Sequence, residues 1–201
     1  MIEQALVKSG ITKIAGVDEA GRGPCAGPLI VAAVILEDPF SPALSQVKDS
    51  KELTQSKRED LYEVVLKNAI SHSIIEVPVE EIDQYGVHKC NIEGMRRAVQ
   101  GLSVTPEYVL TDGYVIPGLT ASNLSVWKGD QVALSISAAS ILAKVFRDRI
   151  MIEIDKQYPN YGFASHKGYI TPLHTESIKK YGVLPIHRKS FSNIADLMDN
   201  R

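Results

Sequence analysis

The sequence predicts an α/β protein built on a mixed sheet of five strands, and three observations carry that reading. Two runs rich in β-branched and small apolar residues, Ile11 to Ala20 and Pro28 to Leu36, read as adjacent strands. Segments with apolar residues at helical spacing follow and alternate with further short strand-like runs. The shorter runs end at aspartates, in Thr111-Asp112-Gly113 and Lys128-Gly129-Asp130, just as the first ends at Asp18-Glu19.

Ile14 to Val17 is apolar enough for a buried strand, which puts Asp18 and Glu19 at its carboxyl end. Gly-Arg-Gly-Pro then turns the chain, so the second strand should pair with the first as an antiparallel hairpin. Asp38 to Glu52 reads as a loop. Thr54 is placed to cap a helix running to Asn68, with Leu61, Val64, Val65 and Asn68 at helical spacing. Ser71 to Val79 is a third strand, followed by a short acidic turn or helix around Glu80, Glu81 and Asp83 and a second helix from Lys89 to Leu102. Tyr108 to Leu110 and Leu124 to Trp127 supply the last two strands.

Asp130 should open the longest helix, through Tyr158, with Leu134, Ala138, Ile141, Val145 and Ile152 on one apolar stripe. Ser140, Lys144 and Arg147 fall at i, i+4 and i+7, a polar stripe that needs a polar partner such as phosphate. Pro159 to Gly162 breaks the helix, a loop carries His166, Lys167 and Tyr169, and Pro172 to Tyr181 is a helix ended by Gly182. No repeat, low-complexity segment or linker divides the chain, so residues 1–201 read as one domain with a short C-terminal helical segment from about 184.

At 201 residues, 44% hydrophobic and 23% charged, the chain can bury one sizeable core. No run of eighteen apolar residues and no signal-peptide layout occurs, so a cytoplasmic protein with no membrane partner is expected. Cys25 and Cys90 lack metal or redox spacing and read as reduced, packed thiols. The net charge of −2 argues against a nucleic-acid partner, but it hides a segregation: Lys128 to Ser190 carries ten Lys or Arg against five Asp or Glu. That excess suits either a phosphate ligand near a metal or an ordinary solvated surface.

Strand ends bearing Asp18, Glu19, Asp112 and Asp130 bring carboxylates to one edge of the sheet, where ligand sites of α/β folds lie. Adjacent carboxylates repel, and the stable remedies are a shared proton, a basic neighbour or a divalent cation; oxygen-only donors suit magnesium. Each also has a structural reading. Asp112-Gly113 is a common turn pair, Asp130 could cap the following helix, and strand alternation sends Asp18 and Glu19 to opposite faces. Asp148 reads as a helix ion-pair partner. Gly21-Arg22-Gly23 leaves backbone open to a sugar-phosphate, or is only a turn; Lys51 in Asp49-Ser50-Lys51 either reaches phosphate or is solvated. In the later loop Tyr169 could stack on a sugar or base while His166 and Lys167 hold phosphates. His166, His174 and His187 are not spaced as zinc ligands.

Taken together, Asp-Glu-Ala-Gly-Arg-Gly-Pro (18–24), Asp-Ser-Lys-Glu-Leu (49–53), Thr-Asp-Gly (111–113), Lys-Gly-Asp-Gln (128–131), the Ala138 to Arg149 segment, His-Lys-Gly-Tyr (166–169) and Leu-Pro-Ile-His-Arg (184–188) resemble the ribonuclease HII family, the type 2 ribonucleases H. The resemblance implies a ribonuclease H-like fold, a central mixed sheet flanked by helices. It implies a metal-dependent endonuclease that cuts 5′ of a ribonucleotide in RNA/DNA hybrids or at single ribonucleotides in duplex DNA, leaving 3′-hydroxyl and 5′-phosphate ends. It assigns Asp18, Glu19, Asp112 and Asp130 to two Mg2+ or Mn2+ ions, Gly21, Arg22 and Gly23 to the ribonucleotide 2′-hydroxyl, and Tyr169 to stacking at the RNA-to-DNA junction. A monomer is expected, and the longer C-terminal extension of some relatives, with its clamp-binding segment, is expected to be absent.

Overall fold

The structure is a computed structural model that describes residues 2–199. Its strands are β1 (Ile14–Ala20), β2 (Leu29–Leu36), β3 (Ala69–Val77), β4 (Tyr108–Asp112) and β5 (Ser122–Val126), and they form one mixed sheet in the order β3-β2-β1-β4-β5. β1 runs antiparallel to β2, with Asp18 opposite Ala32, and parallel to β4, with Val17 opposite Thr111. β5 is parallel to β4, with Asp112 opposite Val126. Parallel neighbours end on the same side, so Asp18, Asp112 and the chain following Val126 meet at one edge.

The helices are α1 (Ile2–Lys8), α2 (Gln55–Asn68), α3 (Val79–Tyr85), α4 (Val87–Gln100), α5 (Gly129–Val132), α6 (Leu134–Gln157), α7 (Phe163–His166), α8 (Pro172–Tyr181) and α9 (Ser192–Asp199). Alternation along the buried strand β2 divides the core. Ile30, Ala32, Val34 and Leu36 pack with Leu61, Tyr62 and Val65 of α2 and the apolar residues of α6, while Leu29, Val31, Ala33 and Ile35 pack with Met95, Ala98 and Val99 of α4. A third cluster, Cys25, Ala26, Met151, Tyr161, Phe163, Ile178 and Ile194, ties the connection after β1 to the C-terminal helices.

Helix α6 lies unusually close to β1. A Cβ on Gly16 would stand 2.0 Å from the Ser135 carbonyl carbon, so only glycine lets the helix backbone touch the strand. The first half of α6 is consequently buried nearly all round, and Ser140 is brought beside Asp18.

The structure departs from the sequence reading in five places. β1 starts at Ile14 and not at Ile11, while Asp18 and Glu19 pair with β2 inside the strand, which ends at Ala20 as expected. The link to β2 is the loop Gly21 to Pro28 and not a tight turn. The single helix expected from Asp130 is two helices, α5 and α6, parted at Ala133, which is extended at φ −132, ψ 116. Asp130 therefore caps nothing; Lys128, left-handed at φ 52, stands at the start of α5. The fifth is α1, which was not anticipated: its buried Glu3 accepts from both the N–H and the Oγ of Ser135 at 3.0 Å, supplying the N-terminal cap that Ala133 cannot give α6. Thr54 caps α2 as expected, accepting from the Lys57 N–H at 3.3 Å, and both cysteines are buried free thiols. Among the described residues no helix is long and apolar enough to cross a membrane.

Gly16→Ala should destabilise the protein by about 3 kcal/mol or more, because neither backbone can move away without breaking its own hydrogen bonds. Urea denaturation of the two proteins measures the difference.

Candidate metal centre and substrate groove

Asp18, Asp112 and Asp130 each present an oxygen such that the three atoms lie within 4.8 Å of one another. Burial, with the adjacent charges of Glu19 and Asp112, holds the Asp18 carboxyl well above the usual carboxylate range. Burial also raises Asp130, against the pull of Lys51, whose Nζ lies 3.0 Å from Oδ2. Three crowded carboxylates with little basic compensation form an oxygen-only anionic set, the donor chemistry of a hard divalent cation. Asp112 also has a structural bond: Oδ1 accepts the Gly129 N–H at 2.8 Å, tying the end of β4 to the start of α5, and Gly113 follows at φ +75.

Glu19 follows strand alternation and does not bend back to Asp18. It projects toward α4, buried beside Asn91, with Oε1 3.4 Å from Arg22 Nη1 and Oε2 buried without a partner. Burial raises it too. It still borders the same groove, a cavity of about 410 Å³ shared with Arg22, Lys51, Asp112, Lys128 and Asp130. The four predicted carboxylates are thus a cluster of three with Glu19 adjoining across β1. An adjacent hollow is lined by Asp18, Gly21, Gly23, Ser140, Lys144 and Tyr169.

The Gly21 to Pro28 loop is held from below by two buried arginines. Arg147, 1% exposed, donates to the carbonyls of Pro28 (3.0 Å), Ala26 (3.0 Å) and Lys167 (2.9 Å). Arg188, fully buried, donates to Gly27, Gly21 (2.6 Å) and Arg22 (3.1 Å). Burial lowers Arg147 to about 10, and burial with the nearby charge of Arg147 lowers Arg188 to about 9, so both stay charged at neutral pH. Gly21, at φ +101, could carry no Cβ, which would stand 2.1 Å from Arg147 Nε. The Arg22 guanidinium stacks over Tyr114 at 4.8 Å.

Several residues expected at phosphates have partners within the protein. Arg147 has its donors on backbone carbonyls and builds the loop. Ser140 is buried and bonded to Ser50 Oγ at 2.8 Å, coupling the Asp49 to Lys51 turn to the floor beside Asp18. His166 accepts the Gly168 N–H on Nδ1 and donates from Nε2 to the Tyr161 carbonyl, while Lys167 Nζ curls back onto the Ala164 carbonyl. Those two residues shape the platform from which Tyr169 projects, half-exposed, with Cε1 3.4 Å from where a Gly23 Cβ would stand. Lys51 and Lys144 keep positions on the groove, Lys144 paired with Asp148 at 2.7 Å, so Asp148 has the ion-pair role read from sequence.

Half of the basic residues after Lys128 are spent within the protein: Arg147 and Arg188 are buried, and Lys144, Arg149 and Lys156 pair with Asp148, Glu59 and Glu153. Sequence reasoning gave no role to Arg188, although the 184–188 motif marked it, nor to Asn91, whose amide nothing in the local sequence distinguishes. It read Trp127 as the end of a strand, which β5 reaches within one residue, and did not mark its side chain, 83% exposed at the rim of the groove.

Comparison with known proteins agrees with this geometry. The family model described as Ribonuclease HII matches residues 15–194. The Ribonuclease HII of Rhodococcus opacus (strain B4) is 53% identical over 197 residues, spanning 98% of this chain and 87% of that protein. The crystal structure of the ribonuclease H2 from Pyrococcus horikoshii OT3 superposes with a TM-score of 0.84 at 28% identity, covering 94% of this chain and 98% of that one. The RNase HII in the PCNA complex from Archaeoglobus fulgidus gives a TM-score of 0.71 at 28% identity, over 94% and 100% of the two chains. With its ribonuclease H-like sheet, its acidic cluster and this full-length similarity, the chain belongs to the ribonuclease HII family of metal-dependent endoribonucleases.

Proposed function

We propose that this protein cuts the phosphodiester 5′ of a ribonucleotide, in RNA/DNA hybrids and at single ribonucleotides embedded in duplex DNA, leaving 3′-hydroxyl and 5′-phosphate ends. The observation that carries the reading is one groove with two unlike walls: the carboxylates of Asp18, Asp112 and Asp130 on one side, and Gly21, Arg22 and Gly23 beside the Tyr169 ring on the other. The 2′-hydroxyl is the local group that separates RNA from DNA, and a glycine-flanked backbone can approach it without a Cβ in the way.

Asp18, Asp112 and Asp130, with Glu19 adjoining, would hold Mg2+ or Mn2+, two ions when substrate is present, and the bound metal would activate water and neutralise charge on the scissile phosphate and leaving oxygen. The side chains have distinct tasks around that centre. Lys51 balances Asp130 and, with its side chain 73% exposed, is free to swing toward a phosphate. Lys144 meets a flanking phosphate. Gly21, Arg22 and Gly23 read the ribose, Tyr169 stacks on the neighbouring deoxyribose, and Arg147, Ser140, His166 and Lys167 keep these groups in place. We take residues 1–201 to act as one catalytic domain, a monomer in the cytoplasm.

Duplex DNA with one embedded ribonucleotide and an RNA/DNA hybrid should be cleaved with magnesium or manganese, an all-DNA duplex should not, and a chelator should stop the reaction. Cleavage of the all-DNA control would sink the specificity. Asp112→Asn should retain the fold and lose nearly all turnover, as read in the same gel assay. Because the Asp18 pKa is raised by folding, its charge opposes the native state increasingly as pH climbs above the unfolded value. Asp18→Asn should therefore raise the melting temperature of metal-free protein at neutral pH and shrink the further rise on adding Mn2+, both read by scanning calorimetry. Lys144→Ala should lower the slope of log Kd against log salt by about 0.9, one phosphate contact, in titrations of catalytically inert protein with duplex.

A further inference from the structure

Three consecutive carbonyls ahead of and at Tyr169 are fastened by three different elements. Arg147 of α6 holds Lys167 O at 2.9 Å, the Cys25 N–H holds Gly168 O at 3.0 Å, and His174 Nδ1 holds Tyr169 O at 2.9 Å. The last of these tethers belongs to a chain of directed bonds. His187 Nδ1 lies 2.8 Å from the Leu184 N–H and 3.3 Å from the Leu184 carbonyl; the shorter, directed contact makes it the acceptor and puts the His187 proton on Nε2. That Nε2 lies 3.0 Å from His174 Nε2, which must then be the unprotonated acceptor. The His174 proton is left on Nδ1, where the Tyr169 carbonyl, which can only accept, takes it. Both rings are wholly buried, and each has one donor and one acceptor in use. Burial lowers both to about 4, so both are neutral at neutral pH and the bonds keep this one sense.

Packing alone does not account for this pair. His174 stacks on His166 at 4.4 Å and meets Phe163 edge-on, contacts that a purely apolar ring could also make, whereas two buried imidazoles carry a desolvation cost that only the bond chain offsets. What the chain adds is a fixed place for one backbone atom, the carbonyl of the residue whose ring faces Gly23. The same C-terminal segment continues directly into Arg188, which holds the Gly21, Arg22 and Gly27 carbonyls. Residues 184 to 188 thus control both the glycine loop and the tyrosine that stands against it.

We propose that His187 and His174 are positioning residues for ribonucleotide selection, a relay that runs from Leu184 to the Tyr169 carbonyl and sets the Tyr169 ring against the glycine loop. The inference rests on the reading of Tyr169 as the junction-stacking residue. Its test is single-turnover cleavage of the embedded-ribonucleotide duplex and of the RNA/DNA hybrid by wild type, Tyr169→Ala, His174→Leu, His174→Asn and the Tyr169→Ala/His174→Leu double variant. Thermal melting of each protein establishes that it is folded.

His174→Leu should slow the embedded-ribonucleotide reaction by about tenfold, the scale of one lost buried hydrogen bond, and the hybrid reaction less. His174→Asn, whose amide N–H stands near the Nδ1 position, should recover most of the rate. In the Tyr169→Ala background His174→Leu should cost nothing further, the mark of two residues acting as one unit. Equal losses on both substrates, no recovery by asparagine, or a full additional loss in the double variant would each overturn the relay. If Tyr169→Ala leaves substrate preference unchanged, the Tyr169 reading itself fails and the relay falls with it; a selective Tyr169→Ala beside an unselective His174→Leu overturns the relay alone. Should His174→Leu not fold, His187→Asn replaces it: its Oδ1 still accepts from Leu184 while its donor no longer reaches His174, so the His174 proton is no longer fixed on Nδ1. The embedded-ribonucleotide reaction should then slow more than the hybrid reaction, with no further loss in the Tyr169→Ala background; equal losses on both substrates or a full additional loss would overturn the relay.

Discussion

Repulsion among Asp18, Asp112 and Asp130 is the force that the rest of this structure holds in check. Three carboxylates with oxygens within 4.8 Å of one another, two of them pushed up by burial, would separate in a flexible chain. They stay together because each sits on backbone that has other reasons to be where it is. Asp18 is locked in a doubly paired central strand, Asp112 closes a strand parallel to it, and Asp130 rides on a short helix tied to Asp112 through the Gly129 N–H. Lys51 offsets the charge on one side only. The remaining electrostatic imbalance is what gives the site its appetite for a cation, and it is a stability cost that function retains.

The opposite wall of the groove is held by another means. Buried arginines normally find carboxylates, yet Arg147 and Arg188 spend their hydrogen bonds on carbonyl oxygens of the loops at Gly21 to Pro28 and His166 to Tyr169. A planar guanidinium with several donors can fasten several carbonyls of an irregular loop at once, which a regular ladder cannot do there. The loop is thereby fixed in an irregular path that leaves its glycine backbone facing the groove. Asp18, Glu19 and the glycine-flanked backbone at 21–23 lie within six residues of sequence, but the supports of that stretch come from α6, from the 184–188 segment and from α8.

Much of this was legible before any coordinates. The strands around Asp18 and Asp112 were readable because β-branched runs ending in charge have few alternatives, and Thr54 was readable as a cap because capping is local. The polar stripe Ser140, Lys144 and Arg147 was correctly seen to need polar partners. For Arg147 the structure supplies backbone carbonyls as those partners, and a pattern along one helix says only that a polar group must be satisfied, not whether phosphate or backbone satisfies it. The helix expected from Asp130 is broken at an extended Ala133, a residue with high helix propensity, two residues before Ser135 meets β1 at Gly16, so local propensity did not mark the break.

The sequence by itself determined the α/β class, the sheet edge that gathers the aspartates and the identities of the acidic and glycine-rich motifs, because these follow from periodicity, turn chemistry and charge at strand ends. Only the tertiary structure decided which carboxylates share a site and which face Glu19 occupies, since adjacent strand residues diverge and their partners come from distant helices. Tertiary structure alone also revealed Glu3 as the cap of α6 and the buried arginines and histidines as supports of the groove. Each of those depends on a hydrogen bond between residues far apart in the chain, and no local pattern encodes such a bond.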